Sequence, residues 1–170
     1  MASILRFDNW QNSDGTSIAT TNASGDITFA GGVSGAGKIL QVVRATDSTN
    51  RSTTSATFVD AGISVTITPQ RSDSAIIIIW SFNIRPPSNY WAWTIITDSS
   101  DNSLVGDRGV SGSSNGTSEA VIVTQIAYDT PATTSATTYK GRFLRETSGT
   151  ATIYNSTWMT GQMFAIEVSA

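Results

Sequence analysis

The chain has 170 residues, 39% of them hydrophobic and only 14% charged, with a net charge of −3; that is length enough for one real core. Histidine and cysteine are both absent, which removes the commonest general base, the commonest transition-metal ligand and all thiol and disulfide chemistry. The acidic balance leaves no footprint for nucleic acid, and no apolar run approaches the roughly 20 residues that span a bilayer, so neither nucleic-acid binding nor membrane insertion is expected.

In chain order, the opening residues 1–8 lack a basic region followed by an apolar one and do not read as a secretory signal. Apolar side chains then come in short bursts, Ile4, Leu5 and Phe7, then Ile18, then Ile27 and Phe29, separated by turn material at 12–15 and 22–25. Bursts this short cannot enclose a core, and an isolated hairpin is marginal in water. Residues 1–36 are therefore read as a short extended N-terminal segment for anchoring and oligomerisation, with Ile4, Leu5, Phe7 and Trp10 as its contact residues. The stretch 31–37, rich in glycine and small residues, reads as a hinge. A second domain follows over 37–170.

From 38 onward, strand patterns alternate with Ser, Thr, Asn and Gly turns, the signature of a sandwich or barrel. Strands are predicted at 39–45, 56–59, 64–68, 75–84, 90–98, 120–128, 138–145, 150–154 and 162–168, enough for two sheets. The expected fold is all-β, a jelly-roll-like antiparallel β-sandwich. At 63–68, Ile63, Val65 and Ile67 share one face and Ser64, Thr66 and Thr68 the other, giving one dry and one wet side. The strands at 75–82 and 90–96 are apolar on both sides. Two sheets leave an outer face bare, so a neighbouring subunit is the simplest second cover, a loop or the N-terminal segment of the same chain being the alternative. Trp80, Phe82, Trp91 and Trp93, or their sheet neighbours, are the expected oligomer interface.

Chemistry-bearing motifs are sparse. Gly32 to Lys38 fits the spacing of a phosphate-binding loop, but Ile39 stands where a magnesium-binding hydroxyl belongs and a strand pattern follows in place of a helix, so no nucleotide site is expected. Most aspartates sit in turns, where they cap their own backbone. Glu119, Glu146 and Glu167 are the exceptions, and nothing in the sequence pairs two of them as acid/base catalysis requires. The chain is read as non-enzymatic, with no cofactor and no metal site; Asp98 and Asp101 offer oxygen ligands for calcium but lack the spacing of a recognised loop, and a plain turn is the simpler reading. Among the five tryptophans, Trp80 and Trp93 lie in dense apolar strands. Tyr90, Trp91 and Trp158 stand nearer strand ends and are the candidates for stacking on a glycan.

Three groups of residues carry a resemblance: Gly37-Lys38-Ile39-Leu40-Gln41-Val42-Val43 at the start of the second domain; Thr57-Phe58-Val59-Asp60-Ala61-Gly62 with Val65-Thr66-Ile67-Thr68-Pro69; and the ending Gly161-Gln162-Met163-Phe164-Ala165-Ile166-Glu167-Val168. Together with the opening Ala2-Ser3-Ile4-Leu5-Arg6-Phe7-Asp8-Asn9, this resembles tail-fibre and head-fibre proteins of bacteriophages. The resemblance implies a structural virion protein exposed on the particle surface. It implies a homotrimer attached through its N-terminal segment to other virion proteins of the tail or capsid, with the C-terminal domain pointing outward toward a host-surface glycan. It supplies no catalytic residues. The absence of an extended shaft leaves a short fibre, a tip or a stabilising capsid decoration equally open. A free lectin-like module and a polysaccharide depolymerase are the alternatives from other classes.

Overall fold

The computed structural model describes residues 9–11, 13–22, 24, 27–29, 37–109, 111–113 and 119–170, with backbone alone at 9, 28, 29 and 111–113. Ile4, Leu5 and Phe7 of the expected anchor and residues 32–36 of the glycine-rich motif lie outside these. The described residues form strands and no helix, in two compact units, Met1–Ala36 and Gly37–Ala170.

The first unit is a three-stranded antiparallel sheet of β1 (Asn9–Gln11), β2 (Ser17–Thr21) and β3 (Ile27–Phe29), with β2 in the middle. Among its described residues only Ala19 is buried, while Ile18 and Ile27 are exposed and Trp10 is 62% exposed. Among the described residues this sheet buries too little to form a core of its own.

The second unit is an antiparallel β-sandwich. Its larger sheet contains β4 (Ile39–Asp47), β13 (Gly161–Val168), β7 (Ala75–Arg85) and β10 (Val121–Asp129) side by side, and the short pair β5 (Arg51–Thr53) and β12 (Ala151–Ile153) continues beside the end of β7 at Ile84 and Arg85. The smaller sheet runs β6 (Val59–Ile67), β11 (Thr137–Arg145), β8 (Trp91–Thr97), β9 (Ser111–Ser113). With the short β5 and β12 set aside, the first and last strands of the unit, β4 and β13, are neighbours, and strands consecutive in the chain mostly lie in opposite sheets.

Period-two alternation decides what lies between the sheets. Ile76, Ile78, Trp80, Phe82 and Ile84 of β7 point inward and meet Ala61, Ile63, Val65 and Ile67 of β6, Tyr139 and Phe143 of β11, Met163 and Ala165 of β13 and Ile96 of β8 in one core. Trp80 stacks on Phe82 with ring centroids 3.8 Å apart. Gly141 makes room for that indole: a Cβ there would stand 2.8 Å from a ring carbon of Trp80, so only glycine lets β11 approach so closely. Buried Gln125 of β10 ties the sheets together by donating to the carbonyl of Thr94, 3.1 Å away.

The core carries one buried carboxylate. Glu167 accepts from Ser74 Oγ (2.6 Å), Gln41 Nε2 (2.6 Å) and the backbone N–H groups of Gln70 (2.8 Å) and Arg71 (3.3 Å). Burial pushes its pKa up, and these hydrogen bonds outweigh the burial, so it lies below the ordinary 4.5. The bonds hold the turn from β6 to β7 against the closing strand, a structural assignment for the one strand-borne glutamate that is buried.

One stretch departs from the sequence expectation. Two strands, at 56–59 and 64–68, were predicted around Asp60-Ala61-Gly62, and the structure has one strand, β6. There, three residues of β6 stand opposite Gly141 between the pairs Lys140 with Ser64 and Arg142 with Asp60. Gly62 adopts a φ of 73° and donates its N–H to Asp60 Oδ1 at 2.5 Å. This is turn chemistry used inside a strand, as a bulge. Strands β5 and β9, three residues each, carry no alternating apolar pattern and were not predicted.

Candidate functional site

The outward residues of the larger sheet form rows across four strands. Tyr128, Ile77, Ile166 and Val42 make the first row, and Ile126, Ile79, Phe164 and Arg44 the second. Ile126 and Tyr128 are each 62% exposed and Val42 is 55% exposed, while Ile77, Ile79, Phe164 and Ile166 are half-buried by their neighbours. The Arg44 guanidinium lies 5.9 Å from the centre of the Phe164 ring and marks a charged edge of this patch. The third row is polar: Thr124, Ser81, Gln162 and Thr46. A contiguous exposed apolar patch is a candidate interaction site. In addition, no strand among the described residues pairs with the outer edge of β10, so its row of backbone N–H and C=O groups is open.

The polar row borders a groove of about 390 Å³, lined by its Ser81 and Gln162 together with Phe82, Asn83, Ile122, Trp158, Met159 and Thr160. Trp158 is 93% exposed and Ile122 79%. Their setting is built. Ser156 and Met159 exchange backbone hydrogen bonds of 3.0 and 3.1 Å, and Ser156 Oγ accepts from the N–H groups of Trp158 and Met159 at 3.2 Å. Asn155 fastens this turn from below, donating to Asp47 Oδ2 and accepting from the Asn83 N–H, and the Tyr154 N–H donates to the Asn83 carbonyl at 2.8 Å. Asn155 is fully buried.

The outer face of the smaller sheet has a different character. Lys140 and Arg142 bind Asp101, whose pKa falls through the hydrogen bonds from Arg142 and Lys140. Thr66 and Thr138 pair at 2.8 Å. The Arg108 guanidinium lies 5.2 Å from the centre of the Trp93 ring and pairs with Glu146. Trp91 stacks on Trp93 at 5.8 Å. Asp98 spends its oxygens on the N–H groups of Ser100 and Asn102 and on Asn102 Nδ2. Asp98 and Asp101 are thus engaged by their own turn and by two cations, the reverse of a calcium cradle. No group of three His, Cys, Asp or Glu among the described residues is placed to hold a metal.

These placements correct the expected interface. Trp80 and Phe82 are buried between the sheets and offer a partner nothing, because their parity along β7 is that of Ile78, and the residues that face outward are Ile77 and Ile79. Trp93 is half-buried beneath Arg108, which leaves Trp91 as the exposed member of the four. The bare apolar surface stands instead on Ile126, Tyr128 and Val42, and the signal for it was present: Val121–Asp129 carries Val123 and Ala127 on one face and Ile122, Ile126 and Tyr128 on the other. Of the glycan candidates, Tyr90, Trp91 and Trp158 are all exposed. They do not converge, since Trp91 faces outward from the smaller sheet and Trp158 overhangs a groove of the larger. Trp10, the one described anchor candidate, is exposed on the N-terminal sheet. Compared with protein-family models and with curated proteins, the chain matches none.

Proposed function

We propose that the protein is a non-catalytic structural component of a bacteriophage particle, a short homotrimeric tail or head fibre. In this reading the N-terminal unit attaches to other virion proteins and the sandwich faces the host surface. The observation that carries its assembly part is the apolar outer face of the larger sheet; the particle assignment rests on the resemblance at 2–9, 37–43, 57–69 and 161–168. Sister copies are the occupants that fit, because Ile126, Tyr128, Ile79 and Val42 offer little to a charged partner; the number three comes from the fibre resemblance and not from this surface. The N-terminal sheet, with Trp10, Ile18 and Ile27 exposed and only Ala19 buried among its described residues, fits a segment that is completed by contact with another protein. The strand order supports winding as a jelly roll, two sheets traced by one long folded hairpin. No catalytic residue enters this reading: Glu167 is committed to the turn from β6 to β7, and Asp98 and Asp101 to their own turn and to Lys140 and Arg142. A capsid decoration role uses the same surfaces and differs only in where the N-terminal unit sits. A carbohydrate-binding role is favoured by the overhanging Trp158 and is compatible with the fibre reading on one molecule. Antibody raised against the folded chain and applied to intact particles of the producing source tests the proposal by electron microscopy. Labelled projections at the tail or head support it, and particles that purify free of the chain overturn it.

A further inference from the structure

A fully exposed indole is a cost unless something covers it. Tryptophan is among the most buried side chains on average, and the turn that carries Trp158 is not loose: its hydrogen bonds to Ser156, and those of Asn155 to the sheet beneath, hold the residue outward. The surface it overhangs is mixed. Met159 and Ile122 supply further apolar contact, and Gln162, Thr160 and Ser81 supply donors and acceptors. No lysine, arginine, aspartate or glutamate lines the groove.

We infer that this groove is a binding subsite for a neutral pyranose unit of a glycan, with Trp158 stacking on the apolar C–H face of the sugar ring. A pyranose presents one face of C–H groups and a rim of hydroxyls. The first matches an indole flank, because the polarised C–H groups meet the negative face of the ring. The second matches short neutral side chains that both donate and accept, as Gln162, Thr160 and Ser81 do. A uronic or sialic acid brings a carboxylate, and burying it without a cationic partner is costly, so the absence of charge in the groove selects against acidic sugars. The site opens on the outer sheet face, with Ser81 and Gln162 of the polar row forming its wall on the side of the apolar patch. The inference rests on the surface-binding part of the function proposed above and names its site and ligand class.

The test uses the full chain on an immobilised array of neutral gluco-, galacto- and manno-oligosaccharides alongside uronic-acid and sialylated ones. The expected result is binding to one or more neutral glycans that Trp158→Ala weakens roughly tenfold or more and Trp158→Phe largely retains. Solution mass is measured on each variant and is expected to stay that of the wild type, since Trp158 lies off the apolar patch. Binding that Trp158→Ala leaves unchanged, binding confined to acidic glycans, or no binding to any neutral glycan overturns the subsite. A loss of oligomer mass in Trp158→Ala without loss of sugar binding also overturns it and assigns the groove to contact between copies. A monomeric wild type that still binds neutral sugar through Trp158 keeps the subsite and removes the fibre reading.

Discussion

Glu167 shows how a single side chain can look functional in a sequence and be structural in the fold. A carboxylate without solvent is costly, and here four hydrogen bonds, from Ser74, Gln41, Gln70 and Arg71, replace the lost water. Its folded pKa lies below the unfolded value, so its stabilisation is fully present above the ordinary carboxylate range and is lost as pH falls through the depressed folded value. Glu167→Gln keeps the shape and removes the charge, and it is expected to cost about 1–3 kcal/mol at neutral pH. Urea unfolding at pH 7 and again near pH 3 checks this: the gap between wild type and variant should be wide at pH 7 and narrow at pH 3. A gap that does not change with pH would show that the charge is not what stabilises the turn. Gly62 teaches a similar caution, since Asp-Ala-Gly reads as the end of a strand and is accommodated here as a bulge inside one. Nothing local distinguishes the two outcomes; the partner strand β11 decides.

At the scale of elements, alternation gave the long strands their faces, and the limits of that rule account for Trp80 and Phe82 being expected at a surface when they are buried. Strands β7 and β8 were legible as apolar on both sides, but alternation alone cannot say which side is inner. The larger aromatic side chains of β7, Trp80 and Phe82, went to the core, where they bury most area, and left Ile77 and Ile79 outside. Residues β1–β3 and the sandwich differ in what they bury: Ala19 alone among described residues of the first, and a continuous core in the second. A chain of residues 37–170 alone is therefore expected to keep its strand content and unfold cooperatively in a circular-dichroism melt. Loss of the transition on removing 1–36 would mean that the sandwich depends on the N-terminal unit for its core. The pinned turn at 156–159 was visible in the sequence only as a tryptophan amid Ser and Thr. Its rigidity comes from Asn155, Asp47 and Asn83, which the fold brings together from distant strands and which no local pattern announces.

For the whole molecule, the two outer faces of the sandwich are unequal. The smaller sheet spends Lys140, Arg142, Asp101, Arg108 and Glu146 on ion pairs and covers Trp93. The larger leaves Ile126, Tyr128 and Val42 open beside the unpaired edge of β10. Natural sheet proteins blunt such edges with charge or cover them, and β10 has Ile122, Thr124, Ile126 and Tyr128 where a monomer would gain from lysine. Light-scattering mass of the full chain at micromolar concentration tests self-association most directly, with Ile126→Lys as its control, a change at an exposed site that should leave the fold intact. The expected mass is three times the 18.0 kDa of one chain, falling to that of a single folded chain in the variant. A wild-type protein that stays a single chain at that concentration would contradict the account.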